Sequence, residues 1–160
     1  METLALLGLV SNLVQFVTFA KELTSTSFEI HHSASGISDE ILHINNVYGQ
    51  LSGFSASIKV LSDAGFDSAT ATEIAPAVSV VIKQLSLVCA SDCSNLLKVT
   101  QKLQINAADK SRWKSFKVAL KAIMGQNEMS QMQRRLDATQ TTLTLHICTI
   151  MRHDGFSAPI

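Results

Sequence analysis

The stretch TLALLGLVSNLVQFVTFA, from Thr3 to Ala20, separates Glu2 from Lys21 and contains eighteen residues without a charge. As an α-helix it would be about 27 Å long at 1.5 Å per residue. That length is slightly below the roughly 30 Å thickness of a bilayer's hydrocarbon core. The stretch therefore predicts a helix that is apolar enough for a protein core and borderline as a membrane span.

The polar residues of this predicted helix are confined to one side. At about 100° per residue, the polar side chains fall within an arc of about 120° around the helix axis, and Gly8 lies in the same arc. This polar stripe consists of Ser11, Asn12, Gln15, Thr18 and Glu22. The rest of the circumference, from Leu6 to Ala20, is apolar. The residues expected to insert if the helix enters a membrane are Leu4, Leu6, Leu7, Leu9, Val10, Leu13, Val14, Phe16 and Val17. We expect the stripe to face outward in the resting protein, and neighbouring helices to cover the apolar face on several sides.

The same apolar face would also suit a helix that enters a membrane. If the helix left the bundle, lipid could contact the apolar face while the stripes of several copies lined a wet path. The two interpretations are compatible in a protein that switches between a resting and an inserted state.

Composition favours an all-α fold. The chain has 160 residues, which suits one domain, and 46% of them are hydrophobic, which argues against intrinsic disorder. Two prolines and seven glycines are few for a many-turned β-sandwich. The three cysteines and a start without a basic signal-peptide region predict a protein that rests in the cytoplasm.

Helical periodicity continues along the rest of the chain. A helical period of apolar residues begins at Ile37, and Asp63 marks the exit of the second helix. We expect a third helix from about Thr72 with an apolar stripe to Leu103, a fourth that carries Trp113 and Ile123 and ends at Gly125, and a last helix from about Asn127 to Arg152. Ser38 is the expected N-cap of the second helix. The prediction is a single bundle of about five helices over residues 1–153, followed by a flexible tail over 154–160.

A row of lysines marks the predicted fourth helix. It consists of Lys110, Lys114, Lys117 and Lys121. This row predicts contact with anionic lipid head groups, worth roughly 1 kcal/mol per basic residue, although a solvated helix face would have the same pattern. Nucleic acid is not an expected partner, because Trp113 alone does not form a stacking platform, and the net charge of the chain is zero.

No set of residues indicates a catalytic, cofactor or metal site. Cys89 and Cys93 are four residues apart, and without further ligands buried structural cysteines are the better interpretation. His31 and His32 are adjacent and cannot share a helix face. We therefore expect neither enzyme activity nor a cofactor.

Several segments together resemble a known family. Residues 7–17, LGLVSNLVQFV, followed by Phe19-Ala20-Lys21, are similar to the start of the HeLo-like N-terminal domains of fungal STAND receptors of the NACHT or NB-ARC type. Ser33-Ala34-Ser35-Gly36, Trp113-Lys114-Ser115-Phe116, Ala119-Leu120-Lys121 and Arg135-Leu136 add to the resemblance.

The resemblance implies a HeLo-like bundle that acts as a cell-death effector in fungal incompatibility and immunity. Such a domain would self-associate when a STAND receptor or an amyloid-signalling partner clusters it, and would permeabilise the plasma membrane through its first helix. Thr18 stands where many relatives have an acidic residue. The alternative is a signalling or oligomerisation adaptor that never enters lipid.

Overall fold

A computed structural model of the chain describes residues 2–25, 37–63, 76–105 and 116–156. Its five helices are α1 (Glu2–Leu23), α2 (Ile37–Asp63), α3 (Pro76–Ile105), α4 (Phe116–Met124) and α5 (Gln126–Phe156). The described residues contain no β-strand. The predicted all-α bundle of about five helices is confirmed.

The described helix ends agree with the sequence pattern except at a few residues, and the expected start of the third helix near Thr72 lies outside the described part of the chain. Helix α2 begins at Ile37, so Ser38 lies within its first turn and not at the predicted N-cap. Helix α5 continues to Phe156, four residues beyond the expected end at Arg152 and into the predicted tail. Residues 157–160 lie outside the described part of the chain, and the flexibility of the tail stays a prediction.

Gly125 separates α4 from α5, as its position in the sequence predicts. Its φ of 90° lies in the left-handed region, which glycine adopts at little cost. The Gly125 N–H donates to the carbonyl of Lys121 at 3.0 Å, which closes α4. The Gly125 carbonyl accepts from the N–H of Met129 at 3.2 Å and begins the hydrogen-bond ladder of α5.

Helix α1 packs against three other helices, α2, α3 and α5. A helix that is apolar over most of its circumference must be covered on several sides to remove that surface from water. Phe54 of α2 shows this packing, since its ring centroid lies 5.9 Å from that of Phe16 and 5.7 Å from that of Phe19. The sequence expectation of an α1 covered on several sides is thus met by three neighbouring helices.

Helices α2 and α3 form an antiparallel hairpin. Near one end, the Gln104 side-chain amide donates to Asn45 Oδ1 at 2.7 Å. Towards the middle, Cys93 Sγ donates to the carbonyl of Leu51 at 3.2 Å. Moving forward along α2 therefore means moving backward along α3, so the last turns of α2 lie beside the first turns of α3.

Candidate functional site

The polar stripe of α1 lies on the protein surface. Ser11, Gln15, Thr18 and Glu22 are exposed, and Asn12 is half-buried. The Asn12 amide donates to the carbonyl of Gly8 at 3.0 Å, and the Gln15 amide donates to Ser11 Oγ at 3.4 Å. These side-chain hydrogen bonds all stay within α1, so the stripe does not tie the helix to its neighbours.

The apolar face of α1 is a core face. The residues predicted to contact lipid that are buried here are Leu9, Val10, Leu13, Phe16 and Val17. Leu7 and Val14 are half-buried and pack against this core. Leu4 and Leu6 belong to α1, but their side chains lie outside the described part of the structure. Contact of this face with lipid would therefore require α1 to leave the bundle.

Polar contacts attach the C-terminal end of α1 to α5. Lys21 Nζ lies 2.8 Å from Asp137 Oδ1 and also donates to Gln140 Oε1. Just beyond the helix, the carbonyl of Thr24 accepts from the Gln133 amide at 3.1 Å. We call this group of contacts the α1–α5 clasp. The Lys21–Asp137 pair is solvent-exposed, and such a pair contributes at most about 1 kcal/mol.

A small apolar cleft separates α1 from α5 beyond the clasp. Its volume is about 130 Å³. It is lined by Val14, Val17, Gln140, Leu143, Thr144, Ile147 and Cys148. Side chains that border empty space lose part of their dispersion contacts. Packing between α1 and α5 is thus incomplete along the middle of α1.

The pair Asp92–Arg135 joins α3 to α5, and the sequence analysis did not find it. Most acids in the sequence stand at predicted helix ends, whereas Asp92 lies in the middle of α3 and its side chain is 3% exposed. Arg135 donates to both carboxylate oxygens, with Nη2 to Oδ1 at 2.7 Å. These hydrogen bonds raise the pKa of Arg135. The burial of Asp92 depends on this partner, because an unpaired buried charge is costly.

Cys89 and Cys93 are buried, as the sequence analysis predicts. Burial raises the pKa of each thiol to about 12, and the negative charge of Asp92 adds to the effect at Cys89. Among the described residues, no group of three His, Cys, Asp or Glu side chains lies close enough to hold a metal ion. His31 and His32 lie outside the described residues, as does the side chain of His43.

The predicted lysine row lies only partly within the described structure. Lys110 and Lys114 are outside it, Lys117 is helical without a described side chain, and Lys121 is exposed on α4. Other exposed lysines were overlooked, namely Lys59, Lys83, Lys98 and Lys102 on the outward sides of α2 and α3. The sequence could have indicated these exposed lysines, because they lie opposite the apolar stripes of their helices.

One helix in the described part of the chain is long and apolar enough to cross a membrane by length and composition. It is the segment Val80–Gln104 of α3, with a mean hydropathy of 1.2. Core helices of globular proteins meet the same criterion, and the inner side of α3 lies in this core. Length and composition alone therefore do not show that α3 spans a membrane.

Comparison of the chain with protein families, with characterised proteins and with solved structures found no match.

Proposed function

We propose that this chain is a HeLo-like cell-death domain, cytoplasmic at rest, that releases α1 when a receptor or an amyloid-like partner clusters it. The released helix would enter and permeabilise the plasma membrane. The observation that carries this proposal is the stretch from Thr3 to Ala20, which has no charge although its stripe faces water. A helix that only packed in a core could carry charged residues along its exposed stripe at no cost.

A large free-energy cost opposes the release of α1 from the bundle. Six large apolar side chains of α1 are buried: Leu9, Val10, Leu13, Phe16, Val17 and Leu23. At about 1.5–3 kcal/mol each, exposing them to water would cost roughly 9–18 kcal/mol. Transfer into lipid avoids most of this cost, since acyl chains are about as apolar as a protein core. The remaining cost is the core surface that α1 uncovers, which clustering can offset through avidity.

The attachment of α1 to α5 suits a helix that can leave. Besides side-chain packing, the contacts on this side are an exposed ion pair, a hydrogen bond from Lys21 to Gln140, one from the Gln133 amide to the Thr24 carbonyl, and an open cleft. The stronger Asp92–Arg135 pair joins α3 to α5 and does not involve α1. Removal of α1 would leave that pair in place, and α3 and α5 would stay joined.

In the inserted state, stripes from neighbouring copies would face one another around a wet path. Ser11, Gln15 and Thr18 are neutral, so they can line such a path without the cost of a buried charge. The resemblance to HeLo-like domains implies an acidic residue at position 18 in many relatives. With Thr18 instead, Glu22 is the nearest charge on the stripe, so we expect a weaker preference for cations than a carboxylate at position 18 would give.

Dye release from anionic vesicles by the chain fused to an oligomerising module tests this function. Leu9→Glu and Phe16→Glu are unsuitable for this test, because both side chains are fully buried and a carboxylate there would unfold the bundle. Val14→Glu and Gln15→Glu form a better matched pair, since adjacent helix positions point about 100° apart. Val14 borders the open cleft and Gln15 is exposed in the middle of the polar stripe, so both variants can keep the fold.

The proposal predicts opposite outcomes for the two variants. Val14→Glu places a carboxylate on the lipid-facing side and should abolish leakage, at a cost of about 2.5–3.5 kcal/mol for insertion of each copy. Gln15→Glu places it in the wet path, so leakage should persist with a stronger preference for cations. Leakage that neither substitution alters, with wild-type unfolding temperatures, would rule out insertion and favour the adaptor function.

A further inference from the structure

We propose that the outward side of the α2–α3 hairpin is a docking surface for an anionic lipid bilayer. We call it the hairpin surface and define it by two sets of side chains. Its cations are Lys59, Lys83, Lys98 and Lys102, all exposed. Its large aliphatic side chains are Val60, Val80 and Leu87, which are 66%, 56% and 62% exposed.

The charge on this surface has one sign. Residues 44–60 contain no acidic residue, and residues 78–104 contain only Asp92. Asp92 is buried and paired with Arg135, so it does not offset the lysines at the surface. Over these two ranges the hairpin therefore exposes four cations and no anion, in a chain whose net charge is zero. That charge complements an anionic surface.

Helices α1 and α5 do not share this property. Helices α1 and α5 expose the acids Glu22, Glu128 and Asp137. They also expose the basic residues Arg134 and Arg152, so both signs are present there. Over residues 44–60 and 78–104 the exposed charges of α2 and α3 are thus all positive, whereas α1 and α5 expose both signs. The side chains of Asp39, Glu40 and Asp63 of α2 lie outside the described part of the structure.

The antiparallel hairpin brings the two aliphatic groups to one end. Asn45 lies beside Gln104, and Leu51 lies beside Cys93. Continuing this register places Val60, near the end of α2, beside the first turns of α3 that carry Val80 and Leu87. Lys59 and Lys83 lie at the same end, so apolar side chains and cations occur together there.

Exposed aliphatic side chains among lysines suit a bilayer surface. The aliphatic groups can enter the boundary between head groups and acyl chains while the ammonium groups contact lipid phosphates. A single-stranded nucleic acid would instead need aromatic platforms for its bases. The aromatic residues of this part of α2, Tyr48 and Phe54, are half-buried, and Phe54 faces α1. The surface therefore fits lipid better than nucleic acid.

This inference rests on the proposed function in that both take the membrane as partner, but it concerns binding and not leakage. It orients the molecule with α2 and α3 against the membrane. If the chain binds anionic vesicles without releasing dye, the proposed function fails while the docking surface stands. If it releases dye without needing this surface, the docking proposal fails instead.

Cosedimentation with phosphatidylcholine vesicles, with and without phosphatidylserine, tests the charge. Each lysine near an anionic surface strengthens binding roughly fivefold. The variant Lys83→Glu/Lys98→Glu should therefore bind phosphatidylserine vesicles at least about 25-fold more weakly than wild type. The control Arg134→Glu/Arg152→Glu makes the same change in net charge at exposed positions of α5 and should lose less than about threefold. Equal losses in both variants would mean that net charge alone matters, and would overturn the proposal.

Leu87→Asn tests the apolar part of the surface, with Leu145→Asn as its control, since Leu145 is 63% exposed on α5. Leu87→Asn should weaken binding to phosphatidylserine vesicles several-fold, and Leu145→Asn should not. The chain would be a general polyanion binder if it bound a single-stranded oligonucleotide more tightly than these vesicles and if Leu87→Asn weakened neither interaction. That result would also overturn the proposal.

Discussion

Arg135 and Asp92, 43 residues apart in sequence, connect α5 to α3 through hydrogen bonds of 2.7, 3.2 and 3.4 Å. The carboxylate is almost fully buried, whereas the side chain of Arg135 is 42% exposed. The guanidinium thus lies between solvent and a charge that water does not reach. It offsets the desolvation of Asp92 within the core.

Removal of Arg135 should be strongly destabilising. Arg135→Ala leaves the Asp92 carboxylate buried without a partner, and we expect a loss of about 3 kcal/mol in the free energy of unfolding. The value is at the low end for buried pairs because Arg135 is partly exposed. Urea unfolding measures it, with the exposed neighbour Arg134→Ala as a control that should change stability by less than about 0.5 kcal/mol. Equal stability of both variants would show that the pair contributes nothing.

The three thiols should differ sharply in reactivity. The thiolate is the reactive form, and burial raises the pKa of Cys89 and Cys93 to about 12, so few molecules carry it at pH 8. Cys148 is exposed. Maleimide labelling of the folded protein at pH 8 should modify one thiol per chain, and labelling in urea should modify three. A Cys148→Ser variant that still labels when folded would contradict the burial of the other two.

The same pKa shifts predict a loss of stability in alkali. The unfolded chain releases the protons of Cys89 and Cys93 near pH 9.0, whereas the folded chain keeps them to about pH 12. The stabilisation is therefore complete below pH 9 and is lost as the pH rises towards 12. Between pH 8 and pH 10 each buried thiol should contribute a decrease of about 1.4 kcal/mol.

Urea unfolding at both pH values measures this decrease. Between pH 8 and pH 10 the free energy of unfolding should decrease by about 1.4 kcal/mol less in Cys93→Ala than in wild type. Cys148→Ala should behave as wild type, because that thiol is exposed when folded. An unchanged decrease in Cys93→Ala would show that its thiol titrates alike in both states.

Two glycines should respond to alanine with opposite signs. Gly125 has a φ of 90°, where a Cβ is strained, so Gly125→Ala should cost about 1 kcal/mol. Gly53 lies within α2 with open space around it, so Gly53→Ala should stabilise by about 0.5–1 kcal/mol. Thermal unfolding gives both signs. A stabilising Gly125→Ala would mean that the turn between α4 and α5 differs from the one described.

The helices were predictable because each depends on local pattern. The spacing of apolar residues and Gly125 gave the ends of α2 and α4, and the narrow stripe gave the exposed side of α1. The start of α2 differs by two residues, because a Ser38 N-cap would make Asp39 the first helical residue, and helix ends are set by only a few hydrogen bonds.

Features that join distant parts of the chain were not predictable in this way. Asp92 resembles any solvated acid until α5 brings Arg135 beside it, and periodicity contains no information on that pairing. Likewise, Lys59 and Lys83 are isolated lysines in the sequence. They become one surface only when α2 and α3 form their hairpin.

Release of α1 is the central claim, and a reversible covalent link between α1 and α5 tests it most directly. Val14 of α1 and Cys148 of α5 line the same cleft, so Val14→Cys allows a short, reducible bis-maleimide to join them. Cys89 and Cys93 are buried and should not react. The control is Val14→Cys/Cys148→Ser, which accepts the reagent without forming the link.

The measurement is dye release from phosphatidylserine vesicles by the linked protein, fused to the oligomerising module, before and after reduction. The account predicts that the linked protein binds vesicles without releasing dye, and that reduction restores release to the level of the unlinked control. Full release while α1 is still linked to α5 would contradict it.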